Sequence, residues 1–178
     1  TDNEIYIENI FVLKLGWITD PFFSNTVRTP ITKGYNYKDD SKEEIADFLD
    51  PGYVTQTIGF TYQNGKIFKT RLGIALQETF ADKHRKYSDD LKTKDKIESF
   101  KLQTGIESTS SLQLTIDKNV IWKSDLRLFS TFEQIDVWDV RWDNVITGAV
   151  NNHLNVMFNF QLLYQESQSK KLQLKEGI

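Results

Sequence analysis

The side chains able to do chemistry in this 178-residue chain are few and scattered. Its two histidines, His84 and His153, stand far apart, the first in a charge-dense run and the second beside an Asn-Asn turn. Neither has a helical His-Glu partner or a neighbouring set of ligand residues, so solvated roles are expected for both ahead of metal or catalytic ones. The absence of cysteine removes thiolate nucleophiles, thiolate ligands and disulfides together. Ser124 and Ser130 lie in strand-like sequence with no histidine at a recognisable offset. No Gly-x-Ser-x-Gly elbow or Gly-rich phosphate loop accompanies them. Asp39, Asp40, Asp89 and Asp90 are acidic enough for calcium, but their spacing is not that of an EF-hand loop, and a solvated loop is the preferred reading. No catalytic, cofactor or metal site is therefore expected, and a hydrolase assembling Ser, His and Asp from separate strands is the minor alternative.

The more informative group is a set of charges that alternate with apolar residues: Lys69, Arg71, Lys123, Asp125, Arg127, Asp139, Arg141 and Asp143. A period of two is that of a β-strand with two unlike faces. Residues 66 to 80 set Phe68, Leu72, Ile74 and Leu76 against Lys69, Arg71, Gln77 and Thr79. Residues 119 to 132 set Val120, Trp122, Leu126, Leu128 and Phe132 against Lys123, Asp125, Arg127 and Thr131. Trp138, Val140, Trp142, Ile146 and Val150 oppose Asp139, Arg141, Asp143 and Thr147, with Asn144 and Gly148 interrupting the apolar side. Residues 53 to 62 and 153 to 165 repeat the pattern, the latter with Phe158 and Phe160 on the apolar face and Asn155, Asn159 and Gln161 on the other. If the apolar faces meet lipid, the eight charges point into a lumen. Their mixed signs then predict cross-strand ion pairs that fill and brace a narrow barrel, with a charge-lined passage or polar-ligand pocket as the functional alternative.

Composition bounds the rest. With 39% hydrophobic and 13% aromatic residues the chain can build one folded domain. A formal net charge of -3 without a clustered Lys/Arg face argues against a nucleic-acid partner. No run approaches the apolar length of a membrane helix, and the mean hydropathy is -0.47. A membrane barrel has the same low hydropathy, because only alternate residues face lipid.

Alternation alone also suits a soluble barrel carrying an apolar ligand, in which Phe158 and Phe160 would line an internal cavity. Run length favours the bilayer, which takes strands of about 9 to 11 residues, where ordinary strands have about 5 or 6. Connection length favours it too. Short turns at Gln63 to Gly65, Asp117 to Asn119 and Asn151 to Asn152 alternate with longer connections at 19 to 52, 81 to 96, 133 to 136 and 166 to 170. Asn64-Gly65 is the strongest of the hairpin signals. Aromatics are expected at the membrane interfaces, with Tyr62, Phe68 and Trp122 near the short-turn rim and Trp17, Tyr53, Phe80, Phe132, Trp138 and Tyr164 toward the other; Trp142 is a further interface candidate. The opening segment 4 to 18 reads as a less regular strand. Within the long 19 to 52 connection, Ser41-Lys-Glu-Glu has the form of a capping box, with Ser41 as N-cap and Glu44 at N3, and predicts one short helix ending near Phe48 to Asp50.

Several stretches carry a family resemblance: Gly34-Tyr-Asn-Tyr, Asp47-Phe-Leu-Asp-Pro-Gly-Tyr53, Leu128-Phe-Ser, Val137-Trp-Asp-Val-Arg-Trp-Asp143, Leu162-Leu-Tyr164 and Leu172-Gln-Leu-Lys-Glu-Gly177. Over roughly residues 33 to 178 the chain resembles an uncharacterised family of predicted outer-membrane β-barrels from the Bacteroidota and green-sulfur-bacterial lineage. The resemblance implies fold and location, with no catalytic motif. It also implies further strands before Thr1 and a final strand after the Gln-Leu-Lys-Glu stretch. The expectation is thus an all-β protein: an antiparallel up-and-down transmembrane β-barrel of about eight strands, whole or part of a larger barrel. It is a single domain over 1–178, incomplete at one or both ends. Its partners are the lipid bilayer or lipopolysaccharide and other envelope proteins, its location is the outer membrane of a Gram-negative-type bacterium, and it needs no cofactor.

Overall fold

A computed structural model describes residues 4–38, 41–89, 97–151, 154–165 and 169–177. The chain is all-β and antiparallel. Its strands in chain order are β1 (Glu4–Val12), β2 (Asp20–Pro30), β3 (Gly34–Lys38), β4 (Ser41–Ala46), β5 (Gly52–Asn64), β6 (Phe68–Phe80), β7 (Phe100–Asp117), β8 (Val120–Thr131), β9 (Asp139–Asn151), β10 (Leu154–Gln165) and β11 (Ser169–Gly177). Nine of them hydrogen-bond in the order β1-β2-β5-β6-β7-β8-β9-β10-β11, and β3 and β4 form a separate two-stranded sheet. Every strand of the larger sheet neighbours its predecessor in that sheet, which is the meander that short hairpin connections produce.

Contacts group the chain into two compact units. One comprises Thr1–Phe11, Phe23–Ile58 and Ala75–Thr104, the other Val12–Phe22, Gly59–Ile74 and Gly105–Ile178. Within the first, the inward side chains are small and polar: Ser24, Thr26, Thr29, Thr55, Thr57 and Thr79 are buried, with Ala75 and Ala81. Ile58, next to buried Thr57, is 66% exposed. The second unit buries Thr61, Glu107 and Ser130 with Phe22 and Phe129, while Phe60, Leu72 and Ile74 are exposed. The period-two pattern is therefore inverted relative to a water-soluble sheet, in which threonines face out and isoleucines in.

Three expectations need correction. The Ser41-Lys-Glu-Glu stretch is not a helix but β4, paired with β3 in the register Tyr35↔Glu44 and Tyr37↔Lys42. A capping box is a local signal on a segment too short to be helical by itself, and cross-strand contacts outweigh it: Lys33 Nζ lies 2.9 Å from Glu44 Oε2, and Lys42 Nζ sits 3.9 Å over the Tyr35 ring. The 19 to 52 connection likewise holds β2 as well as this hairpin. Pro21 and Pro30 suggest a loop, yet they occupy the second and last positions of β2, where a missing N–H matters least. Finally, the opening strand stops at Val12. The chain then turns through Gly16 at φ +73, held by Asp20, whose carboxylate takes Lys14 Nζ at 2.9 Å and the Leu15 N–H at 3.0 Å. Among the described residues the larger sheet has nine strands, close to the expected number of about eight, and the hairpin adds two.

The expected short turns stand where alternation breaks. Asn64 ends β5, Gly65 adopts φ +57, and the Ile67 N–H returns to the Asn64 carbonyl at 3.2 Å. Asp117 and Val120 close the β7–β8 turn, and β9 hands over to β10 after Asn151. Asp39, Asp40, Asp90, Asn152, His153 and residues 166 to 168 lie outside the described residues.

Candidate functional site

The eight alternating charges fall on β6, β8 and β9, all within the second unit. Strand register sorts them into rows. Thr109 on β7 pairs with Arg127 on β8, which pairs in turn with Arg141 on β9. Arg71 on β6 joins the same row, its Nε donating to Thr109 Oγ1 at 2.9 Å, with Thr70 and Ser110 hydroxyls 2.9 Å apart beside it. One row along, Ser111 pairs with Asp125, and Asp125 with Asp143. Lys123 stands opposite Gln113 and Val145, and Asp139 opposite Phe129. Lys69, Lys123 and Asp125 border a shallow cleft of about 380 Å³ that also includes Ser111 and Gln113.

Like charges thus face each other across β8 and β9, which is unfavourable for directly opposed residues. Compensation comes from other directions. Arg127 bonds Glu107 on β7, with Nε 2.7 Å from Oε1. Arg141 Nε lies 3.0 Å from Asp143 Oδ2 on its own strand, and the Gln161 amide of β10 donates to Asp143 Oδ1. Arg71 in addition sits with its guanidinium 5.8 Å from the Phe22 ring centre. Glu107 is buried at 6% exposure. It escapes sequence reading because Ser108-Thr-Ser-Ser masks the alternation of β7. Its parity with Gln103, Thr109 and Gln113 is the available signal.

No protein-family model, characterised protein or solved structure matches this chain. Functional reading therefore rests on its own geometry.

The aromatic candidates mark strand ends. Tyr62 is the third residue from the end of β5 and Trp122 the third residue of β8. Trp138 immediately precedes β9, Trp142 is its fourth residue, and Tyr164 is the penultimate residue of β10. Trp17 is in the β1–β2 turn, which belongs to the same unit as Tyr62 and the Asn64–Ile67 turn, not to that of Tyr53 and Phe80. The unanticipated strand β2 reverses the chain once more after Trp17. On the apolar side of β8 and β9, the Trp122 indole donates to Asn144 Oδ1 at 3.2 Å and the Trp142 indole to Ser124 Oγ at 2.9 Å. Ser124 and Asn144 are directly paired. Asn144 and Ser124 thus satisfy the Trp122 and Trp142 indole N–H groups from within that face, as buried or lipid-facing indoles require.

The residues considered for hydrolysis have other partners. Besides taking the Trp142 indole at Ser124, the chain uses Ser130 Oγ as a donor to the Gln134 carbonyl at 3.2 Å. His84 lies in the first unit, in a second polar cluster. There the turn Asp47–Asp50 is closed by Asp47 N–H to Asp50 O at 2.7 Å and Asp50 N–H to Asp47 O at 3.0 Å, with Leu49 at φ +59. Buried Asp50 accepts the backbone N–H of Lys83 at 2.6 Å and of His84 at 3.4 Å, pinning the β6–β7 connection to this turn. The Lys83 ammonium, 2.6 Å from Asp47 Oδ2, and then the Phe48 N–H hold the Asp47 carboxyl below the ordinary 3.8, while Asp47 raises Lys83 above 10.5. Glu44 similarly raises Lys33 above 10.5. On the acid side, the Asp47 contact is fully present above 3.8 and is lost as pH falls through the lower folded value. For the two lysines it contributes below 10.5 and is lost as pH rises through the higher folded values. In a carboxyl-carbon NMR titration, Asp47 is expected to titrate below 3.8, and to move back toward that value in Lys83→Met. A wild-type midpoint at or above 3.8 would contradict the contact.

Proposed function

We propose that this chain forms the wall of an outer-membrane β-barrel, with its apolar faces toward lipid and a polar lumen braced by the Arg127–Glu107 and Arg141–Asp143 pairs. The observation that carries this reading is the inverted burial of β5, where Thr55, Thr57 and Thr61 are buried and Ile58 and Phe60 are exposed. In water, leaving such side chains exposed forgoes about 1.5–3 kcal/mol each, whereas in a bilayer the same arrangement is the favourable one. Strand lengths support it: β5, β6 and β9 have 13 residues each, and β8 and β10 have 12, enough to cross the hydrocarbon layer when tilted.

The reading makes a two-sided prediction about neighbouring residues in the middle of β5. Ile58→Arg is expected to destabilise the protein folded in lipid vesicles by about 2–4 kcal/mol. In a water-facing sheet the same substitution at an exposed position stays within about 0.5 kcal/mol. A bilayer-depth quencher should also reach a fluorophore at position 58 and not one at position 57. Solubility without detergent, together with a harmless Ile58→Arg, would sink the membrane assignment.

A further inference from the structure

The cluster around His84 contains an anomaly that the wall of a barrel does not explain. His84 Nε2 is buried without a hydrogen-bond partner and stands 3.7 Å from Glu44 Oε1, with the imidazole side chain only 11% exposed. Buried polar atoms are rarely left unpaired, and this one faces a carboxylate at a distance too long for a hydrogen bond. The gap is one that a proton would close, because an imidazolium N–H donating to a carboxylate contracts to about 2.7–2.9 Å.

We propose that His84 and Glu44 form a proton-operated clasp, which on acidification fastens the β6–β7 connection to the β3–β4 hairpin. The surroundings suit a switch rather than a permanent bond. Glu44 is already held by Lys33 Nζ at 2.9 Å, so its carboxylate is fixed in place. Lys33 Nζ also lies 3.9 Å from Asp47, which takes Lys83 Nζ at 2.6 Å, so Lys33 bridges Glu44 and Asp47 while Lys83 is held by Asp47. Arg85 turns away to Asp82, its Nη2 lying 3.2 Å from Asp82 Oδ1. Asp50 carboxylate oxygens bind the Lys83 and His84 backbone N–H groups and so anchor the histidine from the chain side. Behind it, Ser88 is fully buried, its Oγ donating to the Glu98 carbonyl at 2.6 Å, which gives the connection a fixed base. His84 is the one imidazole among these residues, the side-chain type suited to a change of charge between pH 5 and 8. Protonation adds a cation beside Glu44, so the fastened state gains population as pH falls through the histidine range.

This inference does not rest on the membrane reading, since it concerns two connections and their own contacts. Its test is amide hydrogen exchange of the folded full chain, followed at Lys83 and His84, whose N–H groups report the connection held on Asp50. After correction for intrinsic exchange, protection is expected to rise about tenfold between pH 8 and pH 5.5. That rise should vanish in His84→Gln, which keeps a polar side chain of similar size and cannot be protonated, and in Glu44→Gln. Equal protection at both pH values in the wild type would overturn the clasp, and so would a rise that persists in His84→Gln.

Discussion

Gly105→Ala is expected to prevent the chain from reaching its native sheet, and Gly59→Ala to do the same. A β-carbon at Gly105 would stand 2.1 Å from the Ser130 carbonyl oxygen and 2.9 Å from its carbon; at Gly59 it would stand 2.1 Å from the Leu72 oxygen and 2.5 Å from the Gly73 Cα. All of these are backbone atoms of the neighbouring strand, so no rotamer change relieves the overlap. Gly105 is paired with Thr131 at the end of the β7–β8 ladder, and moving the partner backbone away would dismantle that ladder. Forcing one methyl into a packed site costs about 1–3 kcal/mol where side chains can adjust. Here they cannot, and the loss is expected to exceed that range. Glycines at such close approaches let strands coil more sharply than a residue with a side chain allows. Gly148→Ala is the control: nothing lies within 4 Å of the position its methyl group would take, and its effect should stay within about 0.5 kcal/mol. Refolding yield and urea midpoint measure all three variants. Normal folding of Gly105→Ala would mean that the β7–β8 approach is looser than described.

These glycines also show where the sequence is readable and where it is not. Alternation exposes β5, β6, β8, β9 and β10 because each puts large apolar residues on one face and polar ones on the other, and a period of two survives any tertiary context. Asn64-Gly65 marks its turn because a positive φ is a local demand. By contrast, β2 is hidden by two prolines whose effect depends on their position in the sheet, and β7 by a serine-threonine run that is polar on both faces. The hairpin β3–β4 imitates a helix start because a capping box and a cross-strand ion pair use the same residues, Lys33 and Tyr35 being the partners that decide between them. Gly59 and Gly105 give no sign of their role, because the need for hydrogen in place of a side chain arises on the adjacent strand. The charged face is legible residue by residue. Its pairing is not: register sets Arg127 against Arg141 and Asp125 against Asp143, and neither register nor the contribution of Glu107 is encoded in any one strand.

That pairing makes the second large prediction. Arg127→Ala is expected to cost about 3–5 kcal/mol, the loss typical when one partner of a buried ion pair is removed, and toward the lower end because the Arg127 side chain is 25% exposed. Glu107 would then be left buried without the Arg127 guanidinium, with its opposite neighbour Phe129 also buried. Removing the acid instead leaves a cation that can reach water, so Glu107→Ala should cost less. It should still unbalance the row, because Arg127 would then face Arg141 without its counter-charge. Replacing both partners together with apolar residues of similar size, Glu107→Leu with Arg127→Met, should recover most of the loss, as a neutral pair carries no desolvation penalty. A double-mutant cycle read by urea unfolding separates these terms. Bracing by this pair requires a coupling well above the error of about 0.5 kcal/mol that independent sites show. If Arg127→Ala and Glu107→Ala simply add, the two side chains do not act together, and the polar face must be held by its other contacts, among them Thr70–Ser110, Arg71–Thr109 and Arg141–Asp143, and by the backbone ladders.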